Sequence, residues 1–360
     1  MVGGWTTGSS LVGRGEELAA FDAALEHARG GDPVTVLLGG EAGIGKTRLV
    51  DEFSGRAFAQ GARLLSGACV DLADAALPYG AVVDALRAVP VEAYEPLAPA
   101  VRRELAALVP EAAPDDLPYD GAQGGLFGAL LRLLEQLGRE EPLVLVLEDL
   151  HWADPSTRDL VSFLARGLRQ TAVLLVVTYR TDEIDREHPV RRLLASLQRA
   201  PGVRSWDLGP MTREETARHL AAVADTQLDA EVVDAIHRRS EGNPFFAEEL
   251  LAARDRGTLS SSLRDALLLR LDRLSAAAQG VVRVAATVGR DVDHELLREV
   301  AELPDDALDL ALRECVDAHV LRVDAAGRGY RFRHALLQEV AAEELLPGER
   351  RRLHERIADR

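Results

Sequence analysis

The sequence predicts an α/β fold with a parallel sheet and helices on both of its faces, followed by a helical lid domain and a winged-helix domain. Up to Leu208, short apolar runs alternate with helical patterns, as they do in βαβ units. These runs are uniformly apolar, which is typical of parallel strands covered on both faces. After Leu208 strand signals nearly vanish, and one short hairpin follows several helices.

Five segments of the first part are predicted strands. They lie at residues 34–38, 63–69, 143–147, 173–178 and, with a weaker signal, 203–208. A helix is predicted over Lys46–Ala59, directly after the first strand, and a strongly amphipathic helix over 126–137 leads into the third strand. The proline-rich stretch between residues 72 and 125 is interpreted as a helical insertion.

The remaining boundaries follow from breaks in the pattern. Gly209 and Pro210 end the first part, and Thr212 with Glu215 forms a capping box for the next helix. Glycine, threonine and serine residues at 257–262 mark another boundary, and the hairpin is predicted at 320–323 and 330–333. We therefore expect five regions: a flexible tail (1–10), an α/β domain that carries the phosphate-binding motif described below (11–208), a helical lid (209–257), a winged helix (258–345) and the start of a helical arm in a truncated chain (346–360).

Composition excludes several classes of protein. The formal net charge of −17 argues against nucleic-acid binding or an anionic membrane surface over most of the chain. No apolar run is long enough to cross a bilayer, and the N-terminus lacks the pattern of a signal peptide. The two cysteines, Cys69 and Cys315, match no metal or redox spacing, so a reduced cytoplasmic setting is expected.

Residues 40–47, GEAGIGKT, satisfy the Walker A pattern GxxxxGK[ST] between a strand and a helix. Glycines allow backbone N–H groups to surround phosphate oxygens, and the helix N-terminus adds a partial positive charge. Lys46 would bridge the outer phosphates and Thr47 would hold Mg²⁺. Lys46 is also the only lysine in the chain, which makes a chance match to the motif less plausible; the alternative is a glycine-rich turn that binds no ligand.

Two further strand ends carry candidate site residues. Glu148 and Asp149 follow the third strand, where one would bind Mg²⁺ through water and the other would orient the attacking water. The alternative is that they only cap the next segment. Arg180 follows the fourth strand and could reach the γ-phosphate, although a solvated surface role fits its position nearly as well.

Other polar residues have plain structural interpretations. His151, Trp152 and His334 are more simply structural residues than catalysts, and no GxSxG elbow supports a hydrolase triad. An arginine cluster in the predicted wing could touch DNA, but one local cluster is weak support in an acidic chain; it comprises Arg328, Arg331 and Arg333.

A series of segments resembles one known family in family order: LVGR (11–14), GEAGIGKT (40–47), LEDLHWADPST (147–157), TYRTDE (178–183), GNPFF (242–246) and FRHALL (332–337). Together they are similar to the ATPase core of STAND signal-transduction NTPases, and most to the large ATP-binding LuxR-type transcriptional regulators of actinobacteria. The resemblance runs from about Leu11 to the C-terminus. The whole series is much more specific than the Walker A pattern alone.

The resemblance implies roles for individual residues. Val12, Gly13 and Arg14 would lie near the adenine. The other implied nucleotide-binding residues belong to the phosphate loop and the start of its helix: Gly40, Gly43, Ile44, Gly45, Lys46, Thr47 and Arg48. Glu148 falls at the position of the Mg²⁺-associated acid, which is often an aspartate in the family, and Asp149 would support water activation. Arg180 would be a sensor of the γ-phosphate. Pro244 would pack on the base, and His334 would reach the β-phosphate of ADP.

The resemblance also implies a function. ADP would hold a closed resting state, and an unknown small-molecule or protein inducer would favour exchange to ATP, opening and self-association. Contact with DNA would be made only by a C-terminal helix-turn-helix domain outside this sequence. Two alternatives remain open: a DNA-remodelling ATPase similar to origin-recognition or loader proteins, and a non-catalytic scaffold that holds ADP.

Overall fold

The computed structural model describes residues 11–71, 78–113, 123–256, 258–324 and 326–358. The chain forms two compact units, Gly13–Gly209 and a second that includes Pro210–Arg360. The tail expected for residues 1–10 lies outside the described residues, as does the boundary residue 257. Parts of the expected insertion, at 72–77 and 114–122, lie outside them too.

The first unit contains a sheet of five strands: β1 (Val34–Gly40), β2 (Arg63–Ala68), β3 (Leu143–Glu148), β4 (Val173–Arg180) and β5 (Val203–Leu208). Their order across the sheet is β2-β3-β4-β1-β5. Each neighbouring pair is parallel. The predicted α/β class and its five strands are therefore confirmed.

Burial explains why the strand signals differ in strength. Every residue of β1 is buried, and β4 is buried up to its last residue, Arg180. Helices cover both faces of such strands, so neither face needs polar side chains. β5 lies at one end of the strand order, and only its last residue, Leu208, is buried, which explains its weaker apolar signal.

In the described part of this unit, seven α-helices accompany the sheet: α1 (Gly15–Arg29), α2 (Lys46–Ala59), α3 (Gly80–Leu86), α4 (Pro99–Leu105), α5 (Gln123–Glu140), α6 (Pro155–Gly167) and α7 (Pro189–Leu197). The described part of the insertion is helical, as predicted, and contains α3 and α4. At the start of α6, a carboxylate oxygen of Asp154 accepts the backbone N–H of Thr157 at 3.0 Å. This bond satisfies one of the N–H groups left unpaired at a helix N-terminus.

The second unit is mainly helical: α8 (Arg213–Ala224), α9 (Ala230–Ser240), α10 (Pro244–Arg256), α11 (Ser261–Asp272), α12 (Ala276–Val288), α13 (His294–Val300), α14 (Asp305–Asp317), α15 (Ala335–Glu343) and α16 (Pro347–Ala358). Both hydrogen bonds of the predicted capping box are present at the start of α8, between Thr212 and Glu215.

A small antiparallel sheet completes the second unit, with β6 (Asp291–Asp293), β7 (Leu321–Val323) and β8 (Gly329–Phe332) in the order β6-β8-β7. The pairing of β7 with β8 confirms the predicted hairpin. β6 was not predicted, because three residues with one apolar side chain between two aspartates give no alternation to detect. The helices and this sheet resemble a winged helix.

Among the described residues, no helix is both long enough and apolar enough to span a membrane.

Candidate functional site

The predicted site residues of the first unit meet at one edge of the sheet. β1, β3 and β4 run parallel, with β4 between the other two. The loop after β1, the acids at the end of β3 and the arginine at the end of β4 therefore lie at the carboxyl ends of neighbouring strands. Ligands of open α/β sheets bind outside this edge.

The loop between β1 and α2 has the backbone that its glycines allow. Gly43 and Gly45 have φ angles of 74° and 100°, in the left-handed region that side chains with a Cβ avoid. The backbone N–H of Ile44 donates to the carbonyl of Glu41 at 3.3 Å, which closes the turn. Helix α2 then begins at Lys46, so the loop leads directly into a helix N-terminus. Such an N-terminus attracts phosphate groups through its N–H groups and its dipole.

Lys46 is folded back onto this loop. Its ammonium group donates to the carbonyls of Gly40 at 2.8 Å and Glu41 at 2.9 Å, and the residue is only 7% exposed. Burial lowers the pKa of the Lys46 ammonium, and the charge of Asp182 opposes that shift. A desolvated cation held by two neutral carbonyls gains more from an anionic phosphate, because hydrogen bonds to charged acceptors are the stronger ones.

Thr47 and Glu148 are joined directly. The Thr47 hydroxyl donates to Oε2 of Glu148 at 2.7 Å, although the two residues lie on α2 and β3. Burial raises the pKa of the Glu148 carboxyl, and the bond from Thr47 opposes this. A nearby cation would favour the charged carboxylate.

This pair of oxygen donors fits Mg²⁺. The ion prefers hard oxygen ligands, and it usually combines one or two protein groups with substrate phosphates and water. No group of three or more histidine, cysteine or acidic residues that could enclose a metal occurs in the described parts of the chain. Thr47 and Glu148 would thus hold the ion together with the phosphates, as the sequence predicts.

Asp149 leaves the strand in an uncommon conformation. Its φ and ψ angles are 55° and 45°, in the left-handed region. Its backbone N–H donates to the hydroxyl of Thr178, at the end of β4, at 3.0 Å. Burial raises the pKa of the Asp149 carboxyl, while the charge of Arg180 opposes the shift. A half-buried carboxylate with a raised pKa is suited to accept a proton from water.

Arg180 lies beside Asp149 instead of standing free in solvent. Its Nε is 3.6 Å from Oδ1 of Asp149, and a terminal nitrogen is 2.6 Å from Glu183. Its guanidinium carbon lies 4.5 Å from the centre of the Trp152 ring. This cation–π contact and the two carboxylates fix the guanidinium at the site edge. Its sensor role stays a prediction.

His151 is buried behind this cluster. Its Nδ1 accepts the backbone N–H of Arg180 at 3.3 Å, and its ring lies 4.6 Å from that of Trp152. Burial, followed by the charge of Arg180, lowers the pKa of His151 to about 3. A neutral, buried ring that accepts a backbone bond supports the structural interpretation of this histidine.

The lowered pKa of His151 gives a testable pH dependence. The unfolded chain binds a proton at this ring near pH 6.5, whereas the folded ring stays neutral down to about 3. Acidification from pH 7.5 to 5 therefore favours the unfolded state. We expect His151→Gln to lose less stability over this interval than the unsubstituted protein, as measured by urea unfolding at both pH values. Equal losses in the two proteins would contradict the assignment.

Two site residues were not predicted as such. Asp182 lies in the segment that follows β4 and is only 5% exposed. Its Oδ1 accepts the backbone N–H of Ala42 at 3.0 Å and so anchors the phosphate loop to that segment. Asp51 lies one helical turn after Thr47, and burial together with the charge of Glu148 raises its pKa to about 6. The position of Asp51 at i+4 from Thr47 is a signal that sequence reasoning could have used.

Asp182→Ala should weaken ATP binding by about tenfold, because it removes the hydrogen bond from the backbone N–H of Ala42 that anchors the loop, and losing a partner for a polar group costs about 1–3 kcal/mol. Asp182→Asn keeps an oxygen acceptor for Ala42 and should restore most of the affinity. Calorimetric titrations with ATP measure both effects. If Asn binds ATP as weakly as Ala does, the charge of Asp182 and not its hydrogen bond is what matters.

Arg14 is buried and contacts the phosphate loop at Ile44. Its guanidinium donates to the carbonyls of Gly209 at 2.7 Å and Ile44 at 3.4 Å, and it pairs with Glu17 at 3.2 Å. These bonds tie the N-terminal segment to the phosphate loop. The contact of this segment with adenine stays a prediction.

Three other predicted positions are Gly13, Arg48 and Val12. Gly13 has a φ of 75°. Arg48 lies in the first turn of α2, and its positive charge opposes the rise that burial and Glu148 cause in the pKa of Asp51. Val12 falls outside the compact unit that holds the phosphate loop.

The predicted base-packing turn and the histidine lie in the second unit. Pro244 begins α10, and the side chain of Asn243 accepts the N–H of Phe245 at 3.1 Å. His334 is buried, with Nδ1 3.6 Å from a carboxylate oxygen of Glu241. Contacts of Pro244 and His334 with a nucleotide stay predictions.

Comparisons with known proteins agree with this geometry. Residues 10–177 match the family model described as "AAA ATPase domain". The chain is also 30% identical over 392 residues to the uncharacterized protein R02095 of Rhizobium meliloti (strain 1021). That alignment covers 97% of this chain and 37% of the relative, so the chain spans little more than a third of the relative's length.

Two solved structures are similar to nearly the whole chain. The Aeropyrum pernix ORC2 protein, solved as ADPNP–ADP complexes, superposes with a TM-score of 0.59 at 16% identity, covering 98% of this chain and 94% of that one. The Aeropyrum pernix ORC1 protein in complex with DNA gives a TM-score of 0.44 at 20% identity, covering 96% and 95%. The likeness to the ORC2 protein, at this low identity, establishes the fold, a P-loop α/β unit followed by helices and a small antiparallel sheet, and not the function.

Proposed function

We propose that this protein binds ATP and ADP with Mg²⁺ and hydrolyses ATP slowly as a nucleotide-operated switch. The observation that carries the proposal is the convergence at one sheet edge of Lys46, the Thr47–Glu148 pair and the Asp149–Arg180 pair. They supply the three elements that phosphoryl transfer requires: phosphate compensation, a metal position and a candidate base. The match of residues 10–177 to AAA ATPase domains supports the same chemistry.

In this mechanism the chain's own groups position the reactants. The loop amides and Lys46 would hold the phosphates, while Thr47 and Glu148 would hold Mg²⁺, which supplies charge neutralisation when bound. Asp149 would take a proton from the attacking water, and Arg180 beside it would respond to the γ-phosphate. The expectation of slow turnover comes from the resemblance of the motif series to signal-transduction NTPases.

The proposal is tested by titrating the purified protein with ATP and ADP in the presence of Mg²⁺ and by measuring phosphate release. Binding with turnover supports a switch ATPase. Binding without turnover would favour a scaffold that holds ADP as a structural ligand. Absence of binding to either nucleotide would overturn the proposal.

The finer part of the proposal is regulatory. The motif series at 242–246 and 332–337 resembles that of LuxR-type regulators, in which nucleotide exchange in response to an inducer controls self-association. His334 is central, because a histidine 3.6 Å from Glu241 can exchange that carboxylate for a phosphate oxygen. ATP can shift such an equilibrium only as far as it prefers the open form.

His334→Ala is expected to weaken ADP retention several-fold while leaving ATP affinity nearly unchanged, because the resemblance assigns this ring to the ADP-bound state alone. Competition of a fluorescent ADP analogue with ATP and with ADP measures the difference. Equal weakening of both nucleotides would remove His334 from the switch.

DNA remodelling is the second candidate, favoured by the fold shared with the ORC2 protein of Aeropyrum pernix over nearly the whole chain. One observation opposes it: Arg331, in the predicted wing, forms a two-pronged ion pair with Asp291. A cation paired in this way is less available to a DNA phosphate. Salt-dependent affinity of this chain for a DNA duplex would support the remodelling function.

A further inference from the structure

A cavity of about 510 Å³ lies in the first unit, at the edge of the sheet opposite the phosphate loop. Pro33 and Thr35 contribute to it from the start of β1, and Pro201 from just before β5. β1 is seven residues long, so the cavity and Gly40 are separated by about 20 Å along the strand. The cavity is therefore distinct from the nucleotide site.

The charge of this cavity is unusual for the chain. Three arginines line it, Arg166, Arg169 and Arg199, and its described lining includes no carboxylate. The chain as a whole has 59 acidic residues against 42 basic ones, so a cavity of this size would be expected to include acidic residues in its lining. Arg166 donates to the Ser196 hydroxyl. Within the described residues, Arg169 and Arg199 form no ion pair.

A second cavity of similar volume shows the ordinary pattern. It lies in the second unit, at about 500 Å³, and its lining also includes three arginines. Acidic residues line it as well: Arg239 pairs with Glu339 at 2.6 Å, and Arg264 pairs with Glu343 at 2.8 Å. The first cavity differs because no acidic residue is found among its described lining residues.

Helix ends account for only part of this charge. Helices α6 and α7 end beside the cavity, at Gly167 and Leu197, and each C-terminus carries about half a negative charge. Together they offset about one of the three positive charges. About two remain, which matches the charge of a phosphate group near neutral pH.

We propose that this cavity binds a small ligand through a dianionic phosphate group. The planar guanidinium group matches phosphate oxygens with paired N–H donors, which a single ammonium does not. A volume of about 510 Å³ is within the range of small-molecule sites, whereas a protein partner needs about 800 Å² on each side. The ligand is thus a phosphorylated small molecule.

The test is a calorimetric titration with pyrophosphate at fixed ionic strength, with EDTA present so that no metal chelates the probe. All proteins carry Lys46→Ala, which suppresses binding of the probe at the phosphate loop. The cavity variant adds Arg169→Gln and Arg199→Gln. The control adds Arg191→Gln and Arg192→Gln, which remove two exposed charges from α7 outside the cavity. Exposed substitutions of this kind rarely affect folding.

We expect the cavity variant to bind pyrophosphate at least tenfold more weakly than the Lys46→Ala protein, and the control to stay within about twofold of it. An equal loss in both variants would reduce the effect to general charge and overturn the site, and so would no loss in either. Succinate, a dianion without phosphate, should bind much more weakly; equal binding would refute the assignment to phosphate.

A DNA duplex provides the last comparison. If the cavity variant loses duplex affinity relative to the control while pyrophosphate binding is unchanged, the cavity contacts a nucleic-acid backbone and the small-ligand proposal fails. Loss of pyrophosphate binding without loss of duplex binding supports it. The outcome does not depend on ATP turnover, so it can succeed or fail separately from the proposed function.

Discussion

Replacing Lys46 by alanine is expected to weaken ATP binding by about tenfold to a hundredfold and to reduce turnover below detection. Hydrogen bonds that involve a charged group contribute about 1.5–3 kcal/mol, and the ammonium is the only lysine group available to bridge the outer phosphates. Calorimetry measures the affinity and phosphate release measures the turnover.

The surroundings of Lys46 explain why its loss should be so costly. Its ammonium is buried and bonded to the carbonyls of Gly40 and Glu41. The substitution therefore removes a charge and also loosens the loop. Lys46→Gln separates the two effects, because an amide can still donate to these carbonyls but carries no charge.

If charge compensation dominates, Gln should be nearly as defective as Ala; if the loop conformation dominates, Gln should recover most of the affinity. Arg56→Ala is the matched control, since it removes an exposed cation from the same helix. ATP affinity that is unchanged in Lys46→Ala would contradict the role of the phosphate loop.

The fold of the first unit was predictable because its strands carry a strong signal. β1, β3 and β4 are buried along nearly their whole length, so each of these three strands appears in the sequence as an unbroken apolar run. The order of the strands was not predictable in the same way, because apolar runs do not specify their neighbours. The short strand β6 gave no signal, because two of its three residues are exposed.

The phosphate loop was predictable because its chemistry requires consecutive residues. Gly43, Gly45 and Lys46 act through a local backbone conformation that the motif itself encodes. Asp182 and Thr178 act across the sheet, on Ala42 and Asp149 respectively. Such contacts depend on which strands are neighbours, so a single sequence gives no spacing from which to predict them.

The environment of Arg180 was also beyond sequence reasoning. Position alone left a solvated arginine nearly as plausible as a sensor. The structure instead shows the guanidinium against the Trp152 ring and near Glu183 and Asp149. Trp152 and Asp149 follow β3 whereas Arg180 ends β4, so these two contacts depend on the tertiary fold; Glu183 is a local partner, three residues after Arg180.

The two acids at the end of β3 can now be assigned different roles. Glu148 accepts a hydrogen bond from Thr47, the residue predicted to bind the metal, whereas Asp149 lies near Arg180. Their backbones differ too, since Asp149 adopts the left-handed conformation that turns it away from the strand direction. We infer that Glu148 faces Mg²⁺ and that Asp149 faces the attacking water.

Asp149→Asn is therefore expected to lower ATP turnover by about a hundredfold or more while Mg²⁺-dependent ATP affinity changes by less than about threefold, because general-base catalysis contributes about 10²–10⁴. Glu148→Gln should instead weaken the Mg²⁺ dependence of ATP binding, which titrations with and without the ion reveal. Asp159→Asn, which changes an exposed acid on α6, is the control for loss of one negative charge.

The reverse pattern, with Asp149→Asn losing the Mg²⁺ effect and Glu148→Gln losing only turnover, would exchange the two roles. The Thr47–Glu148 hydrogen bond makes that exchange the less favourable arrangement, because the metal-binding hydroxyl and its partner carboxylate belong on the same side of the phosphates.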